Sequence, residues 1–526
     1  MSLYSRGQAR RSAIDTVSYR MVSQLATMLS YVVMVRGMSH QDFGVLNLLY
    51  AFIPLVSTVA SLGLEQTLRR YQPEYLQNGN EAAARWLVRF VASARFGTSV
   101  IVLGAVLLTW NTAAPWFKLT PYRAEFALFS LLVLLYFQTR ILQLSLAARM
   151  LHRLSVGSLT VLSTVKLIGY GLLVWQDSLT LDRAILVDTT GFAIVYVVLR
   201  IAYRRHVPPS NFSAKYRPDK EERRRLGRYA FYNNFNDAGS MILNSKSDNF
   251  FIAALIDPVA VGVYGFFTRL NEMTQHVLPV RLFDRVLQPL LFALPKDVAD
   301  KRMPKYFTLL VNMNLLFQWP ILAAAVAFHQ EILHVVFGGK FAQDSWLLPV
   351  VAGFSTLNVI ATPVTLVAQY EEKAVVILLS KITIIYNVIA LLVLLPILGV
   401  YGAAIASGSA QVLKSCVIWW HVRTNARWCN AGRSVIASVS LWGAAVALCY
   451  GIKHVIGDRP VINLAIGALI LLAASFVQLR GPAVADSDRV ILGSVFRGRE
   501  ATILTRIGLL KRARAETDAG VGEGRD

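Results

Sequence analysis

FGVLNLLYAFIPLVSTVASLGL at residues 43–64 runs straight into EQTLRRYQPEY at 65–75. The first part is an unbroken apolar run of about 20 residues, the length that carries a helix across a bilayer core. It does not alternate apolar and polar residues, as a strand of a membrane barrel does. In lipid, such a run satisfies its own backbone only as a helix. The second part turns polar at once, and Arg69 and Arg70 follow. This marks a span leaving the membrane on its positively charged side.

The same reading repeats along the chain. Stretches of spanning length fall at approximately 15–35, 44–64, 87–109, 124–146, 155–175, 184–202, 229–255, 259–279, 306–328, 346–369, 374–396, 400–420, 434–452 and 461–479. The expected fold class is therefore all-α, a polytopic membrane protein with about fourteen transmembrane helices. Composition agrees. The 526 residues are 55% hydrophobic and 16% charged, where a soluble domain carries about a quarter charged. Arg20 interrupts the first stretch and no small-residue cleavage site follows it, so that stretch is expected to remain as a helix.

One long internal segment is polar, basic and Pro-containing: YRRHVPPSNFSAKYRPDKEERRRLGR at 203–228. It divides the chain into an N-terminal six-helix lobe, 1–202, and a C-terminal six-helix lobe, 229–420. Two extra transmembrane helices, 421–480, and a tail, 481–526, follow. FGVLNLL at 43–49 and VGVYGFF at 261–267 stand 218 residues apart, each opening the second span of its lobe, as a faint internal repeat. The tail segment 487–513 reads as an amphipathic helix on the anionic inner leaflet, and the last residues as disordered.

Charge orients these spans. With a cytoplasmic N-terminus, 36 Lys and Arg lie on the cytoplasmic side and 7 on the outer side. That asymmetry puts both termini and the linker in the cytoplasm. It also explains the net charge of +22 without a nucleic-acid partner. Of the three cysteines, Cys416 and Cys449 lie in apolar segments and read as small core residues.

The remaining charges sit at membrane depth. Ten are positive: Arg20, Arg89, Arg95, Arg140, Lys166, Arg200, Lys246, Arg269, Lys381 and Lys414. Four are negative: Asp188, Asp237, Asp248 and Glu272. An ionisable group there costs a few kcal/mol, so it faces a partner or a watery cavity. A cationic interior suits an anionic cargo. Catalytic signatures are missing. FGGK at 337–340 lacks the spaced glycines and the Ser/Thr of a phosphate loop. His329 and His334 are five apart and do not share a helix face as metal ligands do. No ATPase motif and no cofactor signature occur.

Four stretches carry a resemblance. Residues 43–75 combine a Phe-Gly opening, a Ser-Leu-Gly-Leu end and then Arg-Tyr and Pro-Glu. SDNFFIAALIDPVAVGVYGFFTRL at 247–270 sets an Asp before a hydrophobic run and a Val-Gly-x-Tyr turn. EILHVVFGGKFAQDSWLLPVVA at 331–352 leads from an outer loop into a span, and LGVYGAAIASGSAQVL at 398–413 opens another. In this order they resemble the polysaccharide-biosynthesis flippases, the O-antigen or Wzx type, within the superfamily of multidrug, oligosaccharidyl-lipid and polysaccharide exporters. The resemblance implies two lobes forming a V around a cavity that opens alternately to each side of the inner membrane. It implies a polyprenyl-pyrophosphate-linked oligosaccharide as cargo, membrane lipids as surroundings, and a polysaccharide polymerase and chain-length regulator as candidate partners.

Arg and Lys are the residues that hold a pyrophosphate, Arg through its planar fork. The candidates for cargo binding are Arg20, midway along the first span, with Arg269, Lys381, Arg95 and Arg140. Arg89, Arg200 and Lys414 sit near cytoplasmic ends, where snorkelling explains them. Asp248, which matches the family's Asp, is the first candidate for ion coupling, with Asp188, Asp237 and Glu272 as rivals. Bends are expected at Trp319-Pro320 and Pro363. Two other functions compete. An exporter of drugs or small molecules calls for an acidic cavity, against ten bases to four acids. A membrane glycosyltransferase or polymerase calls for an acidic outer loop, and no outer loop is long enough.

Overall fold

The computed structural model describes residues 6–207, 216–242, 245–277, 296–371, 373–422 and 431–480. The tail at 481–526 and its expected amphipathic helix lie outside these. Among the described residues the chain is helical and has no strand. The helices are α1 (Arg6–Gly37), α2 (His40–Ser61), α3 (Leu64–Gln77), α4 (Glu81–Leu108), α5 (Arg123–Ala148), α6 (His152–Trp175), α7 (Leu181–His206), α8 (Lys220–Ile242), α9 (Ser245–Leu255), α10 (Pro258–Val277), α11 (Lys296–Phe337), α12 (Leu347–Leu357), α13 (Ala361–Tyr370), α14 (Ala374–Leu379), α15 (Thr383–Leu398), α16 (Val400–Val422), α17 (Ala431–Ile456) and α18 (Pro460–Arg480).

Ten helical segments among the described residues are long and apolar enough to cross a membrane. The expected spans outside that group fall on α1, α8 with α9, α10, and α16. Each carries charge within it: Arg20, Lys246 with Asp248, Arg269 with Glu272, and Lys414. The polar residues that dilute their hydropathy are the ones a watery interior requires.

Two compact units make up the chain. The first combines residues 1–277, 336–347 and 384–410; the second combines 278–335, 348–383 and 411–526. In the first unit α1 packs along α6, α5 along α7 and α2 along α10. In the second, α17 packs on α18. There Trp442 is buried and donates to Gln478 Oε1 at 3.0 Å, while Lys453 pairs with Glu331 at 2.5 Å. Glu331, next to the two histidines that mimic a metal motif, is thus half of an ion pair.

The opening stretch folds through its turn chemistry. Ser39 caps α2, its hydroxyl accepting from the Asp42 N–H at 3.0 Å. The Ser-Leu-Gly-Leu end is a left-handed turn, with φ of 49° at Leu62 and 70° at Gly63. Gly63 answers to two demands, since a Cβ there would lie 1.9 Å from the Ala230 carbonyl oxygen on α8. The internal repeat has a physical counterpart. Gly44 and Gly262 hold the same place in their motifs, and a Cβ on Gly262 would lie 3.0 Å from the Gly44 Cα. The two motifs cross each other at their glycines. A Cβ on Gly44 would meet the Pro258 carbonyl oxygen at 2.0 Å. Gly44→Ala is therefore expected to cost about 1–3 kcal/mol of overpacking, read as a lower melting temperature of the purified protein. Gly104→Ala, whose Cβ meets nothing within 4 Å, is the matched control.

FGGK finds a structural role. Gly338 and Gly339 take φ of 68° and 80°, which turns Lys340 back onto the end of α1. Its ammonium donates to the carbonyls of Val35 (2.7 Å) and Met38. A lysine in this place satisfies the orphan carbonyls of a helix C-terminus.

Several boundaries differ from the sequence reading. Part of the linker is helical and belongs to the first unit: α8 starts at Lys220, and Glu222 accepts from Tyr75 at 2.5 Å. Arg225 pairs with Glu74 and lies over the Tyr71 ring. In α11 the non-helical residue is Phe328, at φ −130°, eight residues past Pro320. A Cβ at Gly467 would strike the Phe328 ring at 2.0 Å, so α18 presses on the kink. The bend near Pro363 takes the form of a 3-10 turn, Asn358–Ile360, between α12 and α13. Cys449 is buried as expected, whereas Cys416 is exposed.

Candidate functional site

Within the first unit, two buried carboxylates stand in opposite electrostatic settings. Asp188 on α7 is fully buried and well compensated. Lys166 Nζ on α6 lies 2.9 Å from its Oδ1, the Tyr170 hydroxyl donates to Oδ1 at 2.6 Å, and the Tyr50 hydroxyl on α2 donates to Oδ2. Lys166 also faces the rings of Tyr50 and Phe192, at 5.8 and 5.7 Å. A lysine and two phenols thus tie α2, α6 and α7 around one carboxylate.

Asp248 on α9 is equally buried but has no cation within ion-pair distance among the described residues. Its Oδ2 accepts from Tyr264 on α10 and from Ser407 on α16, both at 2.6 Å. Ser407 is itself 3.2 Å from Asn387 Oδ1 on α15. The other oxygen, Oδ1, is buried with no hydrogen-bond partner among the described residues. Such a group costs free energy until something neutralises it.

The third feature is a cluster of cations. Arg269 on α10 pairs with Glu272, one turn on, at 3.1 Å. It is near enough to Lys166 and to Lys246 for their charges to interact. Lys166 on α6 and Lys246 on α9, from the two sides of the linker, thus share the field of one arginine on α10. The Tyr31 hydroxyl on α1 lies in the field of Arg269 and Glu272. It is buried without a hydrogen-bond partner among the described residues. Cations with an unused phenol donor suit a polyanion, since each phosphate oxygen accepts more than one N–H or O–H.

The other expected residues are distributed differently. Arg95 is buried; its guanidinium donates to the Ser57 carbonyl (3.0 Å) and hydroxyl (2.8 Å) and stacks 4.1 Å from the Phe137 ring. It joins α4 to α2 and α5. Arg140 bonds Glu65 at 3.2 Å, an acid that Arg69 shares at 2.9 Å. Lys381 lies in the second unit, where Lys414 is its electrostatic neighbour. Arg20 lies on α1 and Asp237 on α8, and both side chains are outside those described. Lys166 and Lys246 were legible only as intramembrane cations; what selects them is proximity to Arg269, which spacing along the chain does not reveal.

Comparison with known proteins fits this architecture. Residues 10–294 match the model of a family described as "Polysaccharide biosynthesis protein". A protein of Haloferax volcanii described as "Probable low-salt glycan biosynthesis flippase Agl15" is 21% identical over 447 residues, which cover 82% of this chain and 87% of that protein. Among solved structures, the lipid II flippase MurJ in an inward closed conformation superposes with a TM-score of 0.66 at 13% identity, over 89% of this chain and 99% of that one. An inward-facing multidrug resistance MATE family transporter of the MOP superfamily gives 0.58 at 11% identity, over 78% and 97%. At these identities the two structures speak for a shared fold.

Proposed function

The chain belongs to the polysaccharide biosynthesis protein family, and on that premise we propose that it flips a polyprenyl-pyrophosphate-linked oligosaccharide across the bacterial inner membrane by alternating access. The product serves assembly of a surface polysaccharide such as O-antigen, exopolysaccharide or capsule. The observation that carries this reading is that Lys166 and Lys246 both lie in the field of Arg269 within the membrane-embedded first unit. A pyrophosphate is the part of such a cargo that most resists leaving water. Fixed cations and hydroxyls that replace its hydration lower that barrier. The protein makes and breaks no bond in this scheme; it acts as a transporter. A drug exporter of the same superfamily is less well served, because three cations stand beside two acids, Asp188 and Glu272, where an organic cation needs an excess of acids.

In the proposed roles, Arg269, Lys166 and Lys246 hold the phosphates. Arg20 and Lys381 are further candidates for the phosphates at other stages of transport, and Asp248 carries the coupling ion. On this reading the termini and the 203–228 linker lie in the cytoplasm, which the charge asymmetry of the loops supports. Ser213→Cys should therefore resist an impermeant thiol reagent in intact cells and react after permeabilisation; labelling from outside would reverse the orientation. The function itself is tested by reconstitution. Purified protein in vesicles should bring a polyprenyl-pyrophosphate oligosaccharide within reach of an added glycosidase, while vesicles lacking the protein stay protected. Equal protection in both removes the flippase reading.

A further inference from the structure

A second cationic site lies away from the Arg269 cluster, on the flank of the first unit. A cavity of about 1000 Å³ opens between α4, α5 and α7, and four arginines line it: Arg85, Arg89, Arg200 and Arg204. The two on α4 are four residues apart, as are the two on α7, so each pair shares one helix face. Arg85 and Arg89 sit in the first turns of α4, where Trp86 lies against Tyr216 of the basic linker, and Arg200 and Arg204 in the last turns of α7, which runs into that linker. Beyond them the lining turns apolar, with Phe96 and Leu131 among the exposed large hydrophobic residues. Phe96 is eleven residues past Arg85 on the same helix, about 16 Å along its axis. The cavity thus has a charged end and an oily wall on the scale of a lipid headgroup and its first carbons.

Snorkelling explains one arginine at a helix end, but not four converging on one cavity. Like charges held together raise each other's energy unless anions intervene. Glu81, one turn before Arg85, lies in that arginine's field and accepts from both terminal guanidinium nitrogens of Arg149, at 2.8 and 2.7 Å. No carboxylate among the described residues lies within ion-pair distance of Arg89, Arg200 or Arg204. We propose that this groove is a binding site for an anionic phospholipid of the leaflet facing the linker. The arginines take its phosphate and the α4–α5 wall takes its acyl chains. Basic pockets between transmembrane helices recognise acidic headgroups in this way. The occupant is an annular lipid and not the cargo, because the groove lies on the flank of α4 and lacks Lys166, Lys246 and Arg269.

The full-length protein, delipidated in a neutral detergent, is placed in nanodiscs with phosphatidylglycerol or with phosphatidylcholine of the same chains, and retained lipid is counted by native mass spectrometry. Phosphatidylglycerol should be held preferentially. The combined variant Arg89→Gln, Arg200→Gln, Arg204→Gln should lose that preference by on the order of 100-fold, given the attraction each basic residue adds near an anionic lipid. Those three side chains are exposed, so the variant should keep the wild-type melting temperature in detergent. The triple Lys variant, which keeps the charge, should retain most of the preference. Equal retention of the two lipids, or an unchanged preference in the Gln variant, overturns the proposal. Displacement by polyprenyl phosphate and not by phosphatidylglycerol would make the groove a cargo site, and displacement by inorganic phosphate at the same concentration would make it a soluble-anion site; either outcome also overturns it.

Discussion

Arg269→Ala should lower transport of the lipid-linked oligosaccharide by about 10- to 100-fold at sub-saturating cargo, the range expected when one charge-assisted hydrogen bond of about 1.5–3 kcal/mol is lost. Its side chain is only half-buried and its partner Glu272 is on the same helix, one turn away. Among the described residues its removal breaks no hydrogen bond or ion pair between helices, and the protein should purify and melt as the wild type does. Arg269→Lys should recover part of the activity, because the charge remains but the two-pronged fork is gone. Arg95→Ala is the informative contrast. That guanidinium holds α4 to Ser57 of α2 and covers the Phe137 ring, so its loss should lower melting temperature and yield, with the apparent affinity for cargo retained in whatever protein survives. The measurement is flipping in vesicles against cargo concentration, with melting recorded in parallel. Full activity of Arg269→Ala at low cargo would take Arg269 out of the site. If Arg95→Ala weakened cargo affinity without a change in melting, Arg95 would join the site.

How much of this could be read from the chain depends on the range of the interaction. Continuous apolar runs are local, and they disclosed the helices. The repeated glycines were visible as a weak motif, but their meeting at the crossing of α2 and α10 is a packing fact that spacing does not state. FGGK was separable from a phosphate loop by its missing residues, yet its role on the end of α1 depends on a contact some 300 residues away in sequence. Arg95 and Arg269 look alike in the sequence, as single arginines within apolar spans. Only the neighbouring helices distinguish a packing arginine from one that shares a field with two lysines. Pro320 marked a helix under strain, but the backbone yields at Phe328, where a facing glycine on α18 leaves room for the displaced ring.

The same neighbour-dependence separates the two buried aspartates, and it yields opposite expectations for one substitution. Asp188 balances Lys166 at 2.9 Å. Asp188→Asn would leave that lysine in a low-dielectric site without its counter-charge, a change that costs about 3–5 kcal/mol when one partner of a buried pair is removed. The expected result is a sharp loss of folded protein. Among the described residues Asp248 balances no cation: its Oδ2 accepts from Tyr264 and Ser407, and its Oδ1 has no hydrogen-bond partner. Asp248→Asn keeps the shape and removes an uncompensated charge, so the variant should melt at or above the wild-type temperature. What it should lose is coupling. A carboxylate that takes up a proton or a small cation when the cavity faces one side, and releases it on the other, links cargo movement to an ion gradient, and an amide cannot do so. In vesicles with an imposed gradient, Asp248→Asn should transport no faster than without one, while cargo binding at equilibrium stays measurable. Normal gradient-driven transport by Asp248→Asn would leave that residue a structural role alone. If wild-type transport survives collapse of both proton and sodium gradients, no carboxylate carries a coupling ion, and the cargo's own gradient drives the cycle.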